Sequence, residues 1–112
     1  MADHLTWAGL LAQWTAFARA SLALPRNAEG ARWRAAVAPI VELQAVTFAL
    51  GDLVRLKDSG ERALGLDRAE ILIRKDELAL RELWGNDPMP IEVSRLTADA
   101  HAALSAARGG AR

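Results

Sequence analysis

Apolar residues recur at helical spacing along this chain, and strand-like alternation is almost absent. The run PIVELQAVTFALGDL, residues 39–53, is nearly all apolar yet contains a glutamate and a glutamine. Ala, Leu, Arg and Glu are abundant, tyrosine is absent, and no Asn-Gly or Asp-Gly hairpin turn occurs. These features favour helices over strands. The pattern therefore predicts an all-α protein.

Helix-breaking residues divide the chain into four predicted helical segments. The breaks fall at residues 25–27, 57–60 and 85–90, which contain all but one of the prolines together with glycine and asparagine. Such clusters mark turns and helix ends. The segments span residues 3–24, 27–56, 61–84 and 91–108.

The second segment has no side made of polar residues. Its polar side chains are spread around a helical wheel: Glu42, Gln44, Thr47 and Asp52. A helix that is apolar all round is buried all round, so we expect this one at the centre of a bundle or completed by a partner. Pro39 lacks the backbone N–H of a helical hydrogen bond and disfavours helical geometry in the residue before it. This predicts a kink near residues 35–39, with a fresh helix start at Pro39 as the alternative.

The third segment contains a second predicted helix start and two kinds of surface. Asp67 followed by Glu70 resembles a capping box, so we expect a short stretch over 61–66 and a restart at Asp67. Two Glu-to-Arg pairs at i,i+4 predict a stripe that faces water: Glu70–Arg74 and Glu77–Arg81. Ile71 and Leu78 project elsewhere, flanked by polar residues. This minor apolar stripe indicates a second contact.

Length and composition limit the class of protein. A chain of 112 residues predicts a single helical domain, residues 1–112. Its 14 basic and 14 acidic side chains lack the charge excess of a nucleic-acid binder. The absence of cysteine excludes disulfides and fits a reducing compartment, so we expect a cytoplasmic protein. The 52% hydrophobic fraction is high for a small soluble domain, which favours association with a second copy or another protein.

The sequence gives no sign of a targeting or membrane segment. Residues 5–24 lack the basic leader of a signal peptide and are interrupted by Gln13 and Arg19. The cleanest apolar run, residues 35–50, is shorter than the roughly 20 residues that span a bilayer and includes Glu42. We therefore expect no membrane partner.

Recognisable catalytic and cofactor motifs are missing. The chain contains no His-x-x-x-His, no Glu-x-x-His, no glycine-rich phosphate loop and no Gly-x-Ser-x-Gly elbow. We predict no catalytic residue, no metal ligand and no cofactor.

Carboxylates in apolar surroundings are the main candidates for chemistry. An unpaired buried carboxylate pairs with a cation, accepts hydrogen bonds or becomes neutral. Such a group acts either as an acid or base in a pocket, or as a structural partner of an arginine. Glu42 and Gln44 are expected to be satisfied across a helix contact, where they fix the register of the packed helices. The candidate buried or interface residues are Glu42, Gln44, Asp52, Asp76 and Arg19.

A second candidate is the triplet Arg32-Trp33-Arg34 near the start of the second segment. Its arginines can stack on the indole or bind an anion. The triplet is the one predicted surface recognition element.

These observations favour one fold and three functional classes. We predict a four-helix up-and-down bundle with a long, kinked second helix at its centre, assembled into a homodimer. The leading functional class is a structural or protein-interaction module. The alternative is a binder of a small apolar or amphipathic ligand, oriented by Glu42, Gln44 or Asp76. An enzyme that uses the buried carboxylates is the least favoured class.

Overall fold

The computed structural model describes residues 26–110 and Arg19. Over residues 26–110 the chain forms three helices: α1 Ala28–Leu53, α2 Ser59–Trp84 and α3 Ile91–Gly110. No strand occurs in this range. The prediction of an all-α protein is confirmed.

α1 begins where the Asn27 side chain supplies a missing acceptor. Asn27 Oδ1 accepts a hydrogen bond from the Gly30 N–H at 2.8 Å, which satisfies one free donor of the first turn. The helix then continues through Pro39 to Leu53, so the alternative of a fresh start at Pro39 is wrong. Pro39 and Ile40 are both buried, and their packing offsets the backbone hydrogen bond that proline lacks. The kink itself stays a prediction.

α2 begins earlier than the sequence pattern indicates. Asp58 Oδ1 accepts a hydrogen bond from the Glu61 N–H at 2.9 Å, and the helix that follows is unbroken. The predicted restart at Asp67 is therefore wrong. Gly65 does not break the helix but lies where α1 approaches closely, because a Cβ there would be 2.5 Å from Leu53 Cδ2.

Contacts between the helices show how the helices run relative to one another. Trp33 near the start of α1 contacts Trp84 at the end of α2, and Leu53 at the end of α1 lies against Gly65. These two helices are therefore antiparallel. Three side-chain contacts join α2 to α3: Asp67–Arg108, Glu70–Arg108 and Glu77–His101. Their order makes α2 and α3 antiparallel too, so the described chain runs up, down and up.

The core lies where all three helices meet. Its largest fully buried side chains come from α1 and α2: Leu43, Leu50, Ile73 and Leu80. α3 adds a thinner, alanine-rich face: Val93, Ala100, Leu104 and Ala107. Burial of each large aliphatic side chain contributes about 1.5–3 kcal/mol. α1 packs against both other helices, which gives it the central position in this bundle.

The prediction of a four-helix bundle is wrong, because the described chain forms a bundle of three helices. α2 and α3 both pack against α1, and buried residues of all three helices form one core. The predicted first segment, residues 3–24, lies outside the described residues except for Arg19, which is exposed. The predicted homodimer stays a prediction.

The two predicted ion pairs along α2 are confirmed, but their surroundings differ from expectation. The N–O distances are 2.8 Å for Arg74–Glu70 and 3.4 Å for Arg81–Glu77. The two glutamate side chains are only 32% and 22% exposed, because Arg108 and His101 of α3 reach them. These two ion pairs therefore lie beside the contact between α2 and α3, and their glutamates face α3 as well as water.

Candidate functional site

Asp76 is the only buried residue with an ionisable side chain among residues 26–110. It is 3% exposed and lies on α2 between Ile73 and Leu80, which are fully buried. No hydrogen-bond donor of the described chain reaches its Oδ2 atom. A buried carboxylate without such a donor is costly, so this environment favours the protonated acid.

Glu42 of α1 approaches Asp76 and forms a carboxyl pair with it. Burial first, and then the hydrogen bond and charge of Glu42, raise the pKa of Asp76 from 3.8 to about 7, against a lowering by Lys75. The hydrogen bonds with Lys75 and then with Asp76 lower the pKa of Glu42 from its ordinary 4.5. Below about pH 7, where Glu42 is ionised and Asp76 is not, Asp76 holds the proton and donates it in a hydrogen bond to the Glu42 carboxylate.

Lys75 completes the group on the solvent side. Its Nζ lies 2.9 Å from Glu42 Oε1, and the side chains of Lys75 and Glu42 are 61% and 37% exposed. The hydrogen bond with Glu42 raises the pKa of Lys75. Glu42 therefore stands between an exposed cation and a buried acid, and the three side chains tie α1 to α2 at mid-height.

This arrangement can hold a proton inside the bundle. Glu42 and Asp76 converge, as an acid–base site requires, but Asp76 is closed to a substrate in solvent. A buried polar pair between two helices also fixes their register, because sliding either helix would leave a buried carboxyl group without its partner. The geometry fits the register role that the sequence suggests for Glu42.

The other predicted buried or interface residues lie in separate places. Gln44 is partly buried and borders a small cavity of about 150 Å³ with Trp33 and Leu96. Asp52 is exposed at the end of α1, 3.9 Å from Arg55. Arg19 is exposed. The structure thus brings together Glu42 and Asp76, and sequence reasoning missed their partner Lys75.

The triplet Arg32-Trp33-Arg34 contributes to packing within the chain. Arg32 pairs with Asp87 at 2.7 Å, and its guanidinium lies 5.5 Å from the centre of the Trp84 ring. Trp33 meets Trp84 edge to face, with ring centres 5.2 Å apart. Arg34 is partly buried. Arg32 and Trp33 therefore tie the start of α1 to the end of α2.

An apolar groove lies between the end of α1 and the start of α2. It has a volume of about 370 Å³ and is lined mainly by Val46, Ala49, Leu53, Leu56, Ala69 and Leu72. Exposed Asp52 and Arg68 border it, and Gly65 leaves room for Leu53. Glu42, Gln44 and Asp76, the ligand-orienting groups expected from the sequence, do not line this groove. The glycine at position 65 is an indirect signal for this groove in the sequence.

Three large apolar side chains of α2 are exposed at seven-residue intervals. Leu64, Ile71 and Leu78 are 52%, 66% and 59% exposed. Seven residues are close to two helical turns, so the three lie in one row, called here the α2 stripe. The sequence pattern indicates Ile71 and Leu78 as a second stripe, and Leu64 extends it by two turns.

Residues 26–110 contain no group of three or more His, Cys, Asp or Glu side chains placed to hold a metal ion. α1 is the one helix in that range with the length and composition of a membrane span. The core helix of a soluble protein has the same two properties, and α1 packs against both other helices. The absence of a membrane partner stays a prediction.

No protein-family model matches the chain, and comparison with curated proteins and with solved structures finds no significant similarity. Any functional inference therefore depends on the residues and their geometry.

Proposed function

We propose that this protein is a structural or protein-interaction module that associates with a second copy of itself through the α2 stripe. The observation that carries the proposal is the row of Leu64, Ile71 and Leu78, each more than half exposed. Exposed rows of large apolar side chains mark contact sites on soluble proteins.

The charges beside the stripe suit a second copy. The charged residues three or four positions from the stripe are of both signs: Arg68, Arg74, Lys75 and Arg81, with Glu61, Asp67 and Glu82. Two copies can place opposite charges side by side, and no single sign dominates the contact.

The size of the stripe predicts the strength of the association. A stable interface buries about 800 Å² on each partner, which is more than three side chains supply. We therefore expect a dimer that dissociates in the micromolar range or above, with a mass that depends on protein concentration.

Light scattering after gel filtration of the full chain, over a series of concentrations, tests this proposal. Ile71→Arg should weaken association at least about tenfold, because each copy loses an apolar contact and gains a charge beside Arg74 and Lys75. Ile91→Arg is the matched control, since Ile91 is 61% exposed at the start of α3 and lies outside the stripe. Circular dichroism should show both variants folded.

A monomeric mass at every concentration would refute the proposal. So would a dimer that both substitutions weaken equally, because the contact would then not involve the α2 stripe.

A further inference from the structure

We propose that the groove between α1 and α2 binds a single-chain amphiphile with a carboxylate head group, a fatty acid, whose head pairs with Arg68. This inference goes beyond the proposed self-association, which uses a different row of α2. It begins from the lining of the groove, which is apolar except for the two charged residues at its border.

The dimensions and lining suit an alkyl chain. A volume of about 370 Å³ falls within the range of about 300–1,000 Å³ that is typical of small-molecule sites. Leu53, Leu56 and Leu72 present flexible aliphatic side chains, and Ala49 and Ala69 leave space between them. No rigid aromatic residue is among the lining residues, so a flexible chain fits better than a flat ring.

The charges at the border select the head group. Within residues 26–110 the Arg68 side chain has no hydrogen bond or ion pair. Asp52 already has Arg55 at 3.9 Å. A carboxylate at Arg68 gains a charge-assisted hydrogen bond, whereas an amine at Asp52 would compete with a cation that is present.

A second groove gives a useful comparison. It lies between α1 and α3, measures about 600 Å³ and is bordered by residues such as Thr47, Val54 and Ala106. No charged side chain lines it. The α1–α3 groove therefore has no group that would distinguish a fatty acid from a neutral alkyl compound. Of these two grooves, only the α1–α2 groove is expected to prefer an anionic head group.

Isothermal titration calorimetry of the full chain with dodecanoate, below its micelle concentration, tests the inference. We expect saturable binding that is at least about tenfold tighter than that of dodecan-1-ol, the same chain without the charge. Arg68→Gln should remove this difference between acid and alcohol, and Arg68→Lys should restore part of it. Arg95→Gln, at an exposed position on α3, is the matched control and should bind as the unmodified chain does.

Ala49→Trp fills the groove and should abolish binding of both compounds. Leu78→Arg, at the end of the stripe that is distant from Arg68, should leave dodecanoate binding unchanged while it weakens self-association, so failure of one proposal does not carry over to the other.

Several results would overturn the inference. They are the absence of saturable dodecanoate binding, equal affinity for acid and alcohol, or a preference for dodecylamine. A change in oligomeric mass on Ala49→Trp would also overturn it, because the groove would then be occupied by a second copy. If Ala49→Trp fails to fold and the unmodified chain does not bind dodecanoate, side chains of the protein itself fill the groove.

Discussion

Replacing Asp76 with asparagine should change how the stability of the protein depends on pH. Asparagine keeps the size of the side chain, does not ionise, and can donate an N–H to the Glu42 carboxylate. The substitution therefore removes the titration at this position while it preserves the packing between Ile73 and Leu80.

The sign of the effect follows from the raised pKa of Asp76. In the unfolded chain this carboxyl loses its proton above its ordinary pKa of 3.8, whereas in the folded protein it keeps the proton up to about 7. Over that window the folded state binds more protons, so the free energy of unfolding falls as pH rises. Glu42 has the opposite effect, because its pKa is lowered in the folded state, but that effect lies below its ordinary 4.5.

The size of the effect follows from the same pKa. Each pKa unit corresponds to about 1.4 kcal/mol, so the rise from 3.8 to about 7 amounts to an upper limit of about 4 kcal/mol. That is a large part of the roughly 5–15 kcal/mol that stabilises a typical domain.

Urea unfolding followed by circular dichroism, at several values from about pH 5 to about pH 8, measures the effect. The unmodified protein should lose stability toward the alkaline end. Asp76→Asn should be nearly independent of pH over that range and more stable than the unmodified protein at about pH 8. Asp99→Asn, at an exposed position on α3, is the control and should keep the original slope. An unmodified protein with flat stability from about pH 5 to about pH 8 would refute the reasoning, as would an Asp76→Asn variant with an unchanged slope.

Two further predictions test the packing of α2. Ile73→Ala should lower the free energy of unfolding by about 2–5 kcal/mol, because Ile73 is fully buried. Ile71→Ala, two residues away and 66% exposed, should change it by about 0.5 kcal/mol or less. Equal losses would contradict the placement of Ile73 inside and Ile71 outside. Gly65→Ala should be more favourable in a Leu53→Ala background than in the unmodified chain, by about 0.5 kcal/mol or more in a double-mutant cycle. The added methyl group would otherwise meet Leu53, and additive effects would show that the two residues do not touch.

Local signals in the sequence predicted much of the helical organisation. Asn27 is the cap of α1, and the breaks near residues 57–60 and 85–90 separate the three described helices. Gly85, with φ of 56°, ends α2 in a conformation that glycine adopts without strain. Each signal depends on residues only a few positions apart, which is why the sequence pattern reveals it.

The wrong predictions have separate reasons. Asp67 has the spacing of a capping box, but Asp58 caps the helix earlier in the chain, and α2 continues through Asp67 without a break. Gly65 lies inside the helix, where Leu53 of α1 approaches it closely. The described helices correspond to the second, third and fourth predicted segments, and the first, residues 3–24, lies outside the described residues except for Arg19.

The candidate site divides in the same way. Composition and spacing identified Glu42 and Asp76 as carboxylates in apolar surroundings. Their pairing, and the approach of Lys75, depend on the register of α1 against α2, which no stretch of sequence contains. The run PIVELQAVTFALGDL tolerates its glutamate because Lys75 and Asp76 supply partners for it.

By itself the sequence determined that the described chain is helical and where several of its helices begin and end. Of the three carboxylates that it placed in apolar surroundings, Asp76 is buried, Glu42 is partly exposed and Asp52 is exposed. Tertiary structure alone decided that Asp76 meets Glu42 and Lys75, and that Leu64 joins Ile71 and Leu78 in one exposed row. The physical reason is range: caps and helix propensity act within a few residues, whereas burial and raised pKa values arise where side chains distant in the chain are packed together.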